Sequence, residues 1–323
     1  MDLRRTLKNM LVRYPWLNSV YGAVYLAGAS VFRRYPASRG PGEIEPPPFF
    51  IVGAARSGNT LLRALLVGHT EISIPPESYV LGTIARKWDR INFLDWGEVV
   101  KLVVGEFESH PEFHTWNTAL SPVYETLLGL APEERSLARV IDAVYRHYSA
   151  EKSRGFRVWG DKTPLNTECL PSIDRVFPDA RYIHVIRDGR DAVSSAVEAG
   201  LFGGSVEAVC RQWLLRVGNA SEFGRRVGGD RYMELRYEDL VTDAGAAVRR
   251  VCAFLGVAFE AQMMEHSQSF DTMGDTGTLE HHANVRKPIT SDSIGKWKQR
   301  LTEGQIRTVE RMLRHRLDTL GYD

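Results

Sequence analysis

One short segment constrains this chain more than any other. Phe49–Val52 is an apolar run bounded by Pro48 and Gly53. It leads into Gly53-Ala54-Ala55-Arg56-Ser57-Gly58-Asn59-Thr60, and then into Leu61, Leu62, Leu65 and Leu66 at helical spacing. A short apolar run between turn residues predicts a buried strand, and leucines so spaced share one helix face. Glycines between the two let the backbone wrap a ligand. The first N–H groups of the following helix, aided by its dipole, favour an anion there. The segment therefore predicts strand, phosphate-binding loop and helix, in that order.

The rest of the chain extends this pattern. Phe156–Trp159, Arg181–Ile186 and Arg231–Tyr237 read as further strands. Helical patterns lie around Leu137–Tyr148, Asp191–Ala199, Ala208–Phe223 and Ala246–Leu255. Such alternation predicts an α/β fold: a three-layer arrangement with a mostly parallel sheet and helices on both faces. Thr302 and Gln305 form a capping-box pair ahead of Ile306, Val309, Met312, Leu313 and Leu317, which predicts a last helix. The Gly- and Pro-rich run Arg39–Pro48 reads as a stiff linker. It separates an N-terminal arm, residues 1–48, from a domain spanning 49–323.

Charge is uneven along the chain. The net charge of +1 gives no signal for a nucleic-acid partner. Residues 1–48, however, hold seven basic and three acidic side chains, so the remainder is net negative. Within the arm, Tyr14–Phe32 is mostly apolar, with Trp16, Tyr21, Tyr25 and Phe32 near arginines. This suits an amphipathic segment on an anionic membrane surface, or equally a helical arm packed on the body, with a true membrane span as a third reading. It lacks a signal-peptide cleavage pattern. Cys169, Cys210 and Cys252 are sparse and not at metal-ligand spacing, which fits small buried hydrophobes in a reduced, cytoplasmic compartment.

The loop matches the nucleotide-binding pattern Gly-x-x-x-x-Gly-Lys-Ser/Thr except at one position, where Asn59 replaces the lysine. NTP hydrolysis uses that lysine to neutralise the β- and γ-phosphates. Here the cation comes earlier, at Arg56. Arg56-Ser57-Gly58-Asn59-Thr60-Leu61-Leu62 is similar to the 5′-phosphosulfate loop of the PAPS-dependent sulfotransferases, and in particular to the arginine-bearing version of the protein-tyrosine sulfotransferases and related bacterial enzymes. Asn59 departs from the usual Thr or Ser, and its amide can still donate to a phosphosulfate oxygen. By itself the loop also reads as a plain glycine turn.

Four more segments carry the resemblance, which covers roughly residues 49–323. Arg187-Asp188-Gly189-Arg190-Asp191 ends a predicted strand, with Ser195 eight residues after Arg187. It looks like the family's 3′-phosphate motif, and a guanidinium fork with a hydroxyl is a fitting receptor for that group. A further arginine of the tyrosine enzymes falls here at Ala199, so its contact is absent or supplied elsewhere. Tyr237-Glu-Asp-Leu240 resembles the family's Tyr-Glu-x-Leu, where the tyrosine borders the nucleotide; a plain core tyrosine fits as well. Arg286-Lys287-Pro288 resembles the basic segment that closes on the 3′-phosphate. Gly295-Lys296-Trp297-Lys298 resembles the next element, in which Lys296 meets the nucleotide and Trp297 packs.

The resemblance implies a P-loop NTPase-like fold, PAPS as donor and no metal. It also implies catalytic roles. Glu77, twenty-one residues after Arg56, stands where the tyrosine enzymes place their general base. Lys162 in Gly160-Asp161-Lys162-Thr163-Pro164 resembles a Lys-x-Pro element that stabilises the leaving phosphate, work that Arg56 shares. His281, six residues before Lys287, stands where those enzymes place a transition-state-stabilising serine; with His282 it also reads as a polar loop. The acceptor is a hydroxyl-bearing glycan, lipid headgroup, phenol or peptide tyrosine. The basic arm tilts this toward a membrane-proximal one. The segment between Ser78 and Arg154 shapes the acceptor side, and its Trp88, Trp96, Phe107, Phe113 and Trp116 read as core residues. Two rivals stay open: a small-molecule kinase, which Asn59 disfavours, and a non-catalytic nucleotide-binding module at a membrane.

Overall fold

The structure, a computed structural model, describes residues 34–152, 155–265, 273 and 288–322. Strand β1 (Phe49–Gly53) runs into α1 (Asn59–Leu66) and a two-residue strand β2 (Ile72–Ser73). A helical stretch follows: α2 (Leu81–Lys87), α3 (Trp96–Ser109), α4 (Ser121–Leu128) and α5 (Leu137–Lys152). Next come β3 (Val158–Asp161), α6 (Leu170–Val176), β4 (Arg181–Ile186), α7 (Gly189–Glu198), α8 (Val206–Val227) and β5 (Tyr232–Arg236). The C-terminal part holds α9 (Tyr237–Thr242), α10 (Ala244–Leu255), α11 (Trp297–Arg300) and α12 (Glu303–Leu320).

The sheet order is β2-β3-β1-β4-β5, and its pairings are all parallel. From β1 the chain goes out to one edge, returns through β3, and crosses to β4 and β5 on the other side. Neighbours β3 and β4 therefore flank β1 at the point where the winding reverses. A crevice opens there, beyond the carboxyl ends of the strands. Period-two alternation sends the β1 side chains to two different cores. Phe50 and Val52 pack with Trp159, Tyr182 and helices α2, α3 and α5, while Phe49 and Ile51 pack with Leu62, Leu65 and α10. Helices thus cover both faces, as the alternation predicts. This is the P-loop NTPase-like three-layer fold.

Strand β3 lies two residues later than the sequence predicts. It extends through Gly160 and Asp161, residue types that strand preference disfavours. Register explains the shift, because Gly160 sits opposite Phe49 and Asp161 opposite Phe50. A Cβ at Gly160 would overlap the Phe49 ring, so the close approach needs glycine. Strand β2 is too short to show any alternation. The predicted last helix begins at its capping box: Thr302 Oγ1 accepts from Gln305 N–H at 3.3 Å, and Thr302 N–H donates to Gln305 Oε1 at 2.9 Å.

The aromatics of the 78–154 segment are core: Trp88, Trp96, Phe107 and Trp116 are buried, with Phe113 packed beside them. Residues Arg39–Pro48 contain no helix or strand, yet they do not hang free. Ile44 is buried, Arg39 donates to Pro132 O at 3.0 Å, and Gly42 N–H donates to the Asp179 carboxylate at 2.6 Å. The three cysteines are buried free thiols, and burial raises the pKa of each, Cys252 to about 11. Among the described residues no helix is long and apolar enough to cross a membrane. The apolar stretch Tyr14–Phe32 lies outside the described residues.

Candidate active site

The glycine loop closes at the head of α1. Gly58 caps the helix in the left-handed region, φ 96°, and a Cβ there would overlap the Tyr237 ring. Gly53 has φ 147°, and a Cβ there would stand 2.5 Å from Val185 O. Both glycines are therefore required by backbone shape and by close approach. Arg56 also adopts a positive φ, 63°, an uncommon conformation for a residue with a side chain. Asn59 turns inward: its Nδ2 donates to Ala54 O at 2.9 Å, bracing the loop across its width. The amide's second N–H is not used by this bond, and Asn59 lines the cavity. Ser57 Oγ and Asn59 Oδ1 are buried without a hydrogen-bond partner among the described residues, so the loop carries unused polar atoms.

At one end of the crevice, Lys162 from the end of β3 and Glu77 from the segment after β2 meet in a short ion pair. Lys162 Nζ also donates to Thr60 Oγ1 at 3.4 Å, which places the pair against the first turn of α1. Lys162 is 1 % exposed. A buried carboxylate next to it in sequence braces this arrangement. Asp161 accepts from Tyr145 Oη at 2.6 Å, Asn166 Nδ2 at 2.7 Å and Thr163 Oγ1 at 3.2 Å. Thr163 Oγ1 in turn accepts from Ser78 N–H at 3.1 Å. One network thus fixes the turn bearing Lys162 and the turn bearing Glu77. Burial raises the Asp161 pKa, and the hydrogen bonds from Tyr145 and Thr163 partly offset this.

At the other end, guanidinium groups gather. Arg187, at the end of β4, donates to Arg56 O at 3.0 Å and to Ser293 O at 2.9 Å. Its plane lies over the Tyr237 ring at 4.4 Å, and Tyr237 Oη meets Ser293 Oγ at 2.7 Å. Arg187 Nε is buried without a partner among the described residues. Arg56 Nε donates to Ser195 Oγ at 3.1 Å. The loop cation thus reaches across to the serine of the second motif. Burial, then the nearby Arg187 and Arg300, lower the Arg56 pKa from its ordinary value.

The N-terminus of α7 holds these parts together. Asp188 caps it by accepting from Arg190 N–H at 2.8 Å. Asp191, buried, accepts from Gly295 N–H at 2.7 Å and Trp297 N–H at 2.9 Å. Arg190 covers the Trp297 ring at 4.9 Å. The segment carrying Lys296 is therefore clamped to the helix carrying Ser195. One cavity of about 630 Å³ spans both ends.

That cavity brings together Arg56, Gly58, Asn59, Thr60, Glu77, Arg187, Ser195, Tyr237 and Lys296, all singled out from sequence. Ser57 is buried beneath the loop. Three residues so singled out, His281, Arg286 and Lys287, lie outside the described residues. The cavity wall also contains residues that sequence reading missed: Tyr79, which stacks on His110 at 5.0 Å, Ser293 and Arg300. Asp161 was visible beside Lys162, but nothing in the sequence marked it as a buried hub. Ala199 lines the wall as well.

Comparison with known proteins identifies the family and the fold. Residues 47–261 match the model of the "Sulfotransferase family", and residues 205–321 that of the "Sulfotransferase domain". The chain is 24% identical over 297 residues to protein-tyrosine sulfotransferase A of Caenorhabditis elegans, covering 86% of this chain and 67% of that protein. It is 26% identical over 333 residues to an omega-hydroxy-beta-dihydromenaquinone-9 sulfotransferase of Mycobacterium bovis, covering 87% and 80%. In fold it is similar to the sulfotransferase domain of the Synechococcus PCC 7002 olefin synthase, with TM-score 0.60, 24% identity, and coverage of 88% and 98%.

Proposed function

The chain belongs to the sulfotransferase family, and from that premise we propose that it moves a sulfuryl group from PAPS to an acceptor hydroxyl, releasing PAP and a sulfate ester. The observation that carries this reading is the Glu77–Lys162 pair held against Thr60 at the mouth of the glycine loop. In the proposed reaction Glu77 takes the acceptor proton as the acceptor oxygen attacks sulfur. The bond from sulfur to the bridging oxygen of the 5′-phosphate breaks, and its electron pair stays with PAP. Lys162 and the loop N–H groups stabilise that phosphate as charge develops. A sulfuryl group carries less charge than a phosphoryl group, so cationic side chains suffice for this work. Arg56 spans the two phosphates of the donor, with Arg187 and Ser195 at the far one and Tyr237 and Lys296 along the nucleotide. His281, Arg286 and Lys287 keep the roles that the resemblance implies. Residues 49–323 form the transferase domain.

Labelled PAPS incubated with the protein and fractionated cell extract tests the reaction. Transfer to a hydroxyl-bearing fraction is expected. Glu77→Gln is expected to cut transfer about 100- to 10,000-fold while PAP still binds. Undiminished transfer by that variant would remove Glu77 as the base. Tight ATP binding that needs magnesium and excludes PAP would replace the donor.

A further inference from the structure

The cationic end of the cavity holds one side chain that no sequence motif accounts for. Arg300 is the last residue of α11, and its guanidinium lines the same wall as Ser195, Ala199 and Lys296. Its position is set by its neighbours. Asp191 fixes the backbone at Gly295 and Trp297, and Trp297 is buried under Arg190, so α11 is docked on α7. Arg300 then reaches back to α7 and pairs with Glu198 Oε2 at 3.2 Å. That pair is partly exposed, with Glu198 60% accessible. Such a pair is weakly held.

The surroundings call for an anion. Arg56, Arg187, Lys296 and Arg300 line this end, against the carboxylates of Glu198 and Asp292 among the described residues. Asp292 also accepts from Thr290 Oγ1 at 3.0 Å. Arg187 Nε is a buried donor with no acceptor among the described residues. Gathering like charges costs energy unless a ligand neutralises them. A dianionic group between Arg300 and Ser195 would do so with charge-assisted hydrogen bonds from more than one guanidinium.

We propose that Arg300 is a receptor for the donor's 3′-phosphate and that Glu198 is its internal stand-in, holding the guanidinium until the nucleotide displaces the carboxylate. The proposal rests on the reading of PAPS as donor. It adds Arg300 to Arg187 and Ser195 as a residue that separates a 3′-phosphorylated nucleotide from one without that group.

Calorimetric titration of the full chain with PAP and with adenosine 5′-phosphate tests it. Arg300→Gln is expected to weaken PAP roughly 10- to 100-fold and adenosine 5′-phosphate less than about threefold. Glu198→Gln, which removes the competing carboxylate, is expected to tighten PAP by about threefold. Equal loss for both nucleotides, or none for PAP, would overturn the role of Arg300. Unchanged PAP affinity in Glu198→Gln would overturn the stand-in. Arg300→Lys guards against a folding artefact: it keeps charge and stem, so it should retain most of the preference for PAP. A wild-type chain with no preference for PAP would instead take down the donor reading, and this proposal with it.

Discussion

The two ends of the cavity solve opposite problems. At the Glu77 end, charge is balanced inside the protein: Lys162 is almost fully buried, but it has a carboxylate partner and a hydroxyl. At the Arg187 end, among the described residues, cations outnumber carboxylates and a buried guanidinium nitrogen lacks an acceptor. A buried ion pair is stable only when both members are present and well placed. An unbalanced cluster is completed by a ligand. Under the proposed function, the first end carries the chemistry and the second captures the donor. Arg56 joins them, with its backbone in the loop and its Nε on Ser195.

The largest expected effect breaks the first end. Lys162→Met should lower kcat about 100- to 1,000-fold, by removing the charge at the leaving oxygen. Combined with Glu77→Gln it should lower the rate far less than the product of the single losses, because the two groups act as one unit. Additive losses in that cycle, measured at saturating donor, would separate the pair.

Arg187→Ala attacks the second end. PAP affinity should fall roughly 10- to 100-fold, read by calorimetry, with kcat at saturating PAPS changed far less. A fall in kcat as deep as that of Lys162→Met would erase the distinction between the ends.

Gly58→Ala sharpens the comparison by disturbing the loop between them. The left-handed φ and the Tyr237 ring leave no room for a methyl group, so a loss of roughly 1–3 kcal/mol is expected. Thermal unfolding with and without PAP would show it, and PAP should protect the variant less than the wild type. A wild-type melting curve would mean that the loop relaxes freely.

Salt should produce the smallest effect. Raising ionic strength should weaken PAP binding severalfold, because the second end is partly open and, under the proposal, binds a doubly charged group. Turnover at saturating donor should barely move, since the Glu77–Lys162 pair is shielded from solvent. Equal salt sensitivity of both quantities would place donor capture and chemistry on the same charges.

Local rules made much of the protein legible. The β1–loop–α1 unit, the capping box at Thr302 and the strand leading to Arg187 each depend on residues close in sequence. Turn geometry, helical spacing and strand alternation act at that range. Strand β3 lies two residues beyond its expected position because its limits are set by pairing with Phe49 and Phe50, not by its own composition. The resemblance implies which site residues share a role, but local rules do not reach the contacts between them. Glu77 and Lys162 lie 85 residues apart, and Arg56 and Ser195 lie 139 apart. They meet only because β1 is flanked by β3 on one side and β4 on the other. The sequence by itself therefore determined a phosphate-binding α/β chain and its family. That Glu77 meets Lys162, that Arg56 meets Ser195 and that Arg300 joins the cationic wall beside Glu198 was decided by tertiary structure, since charge balance in a cavity belongs to the groups that share it.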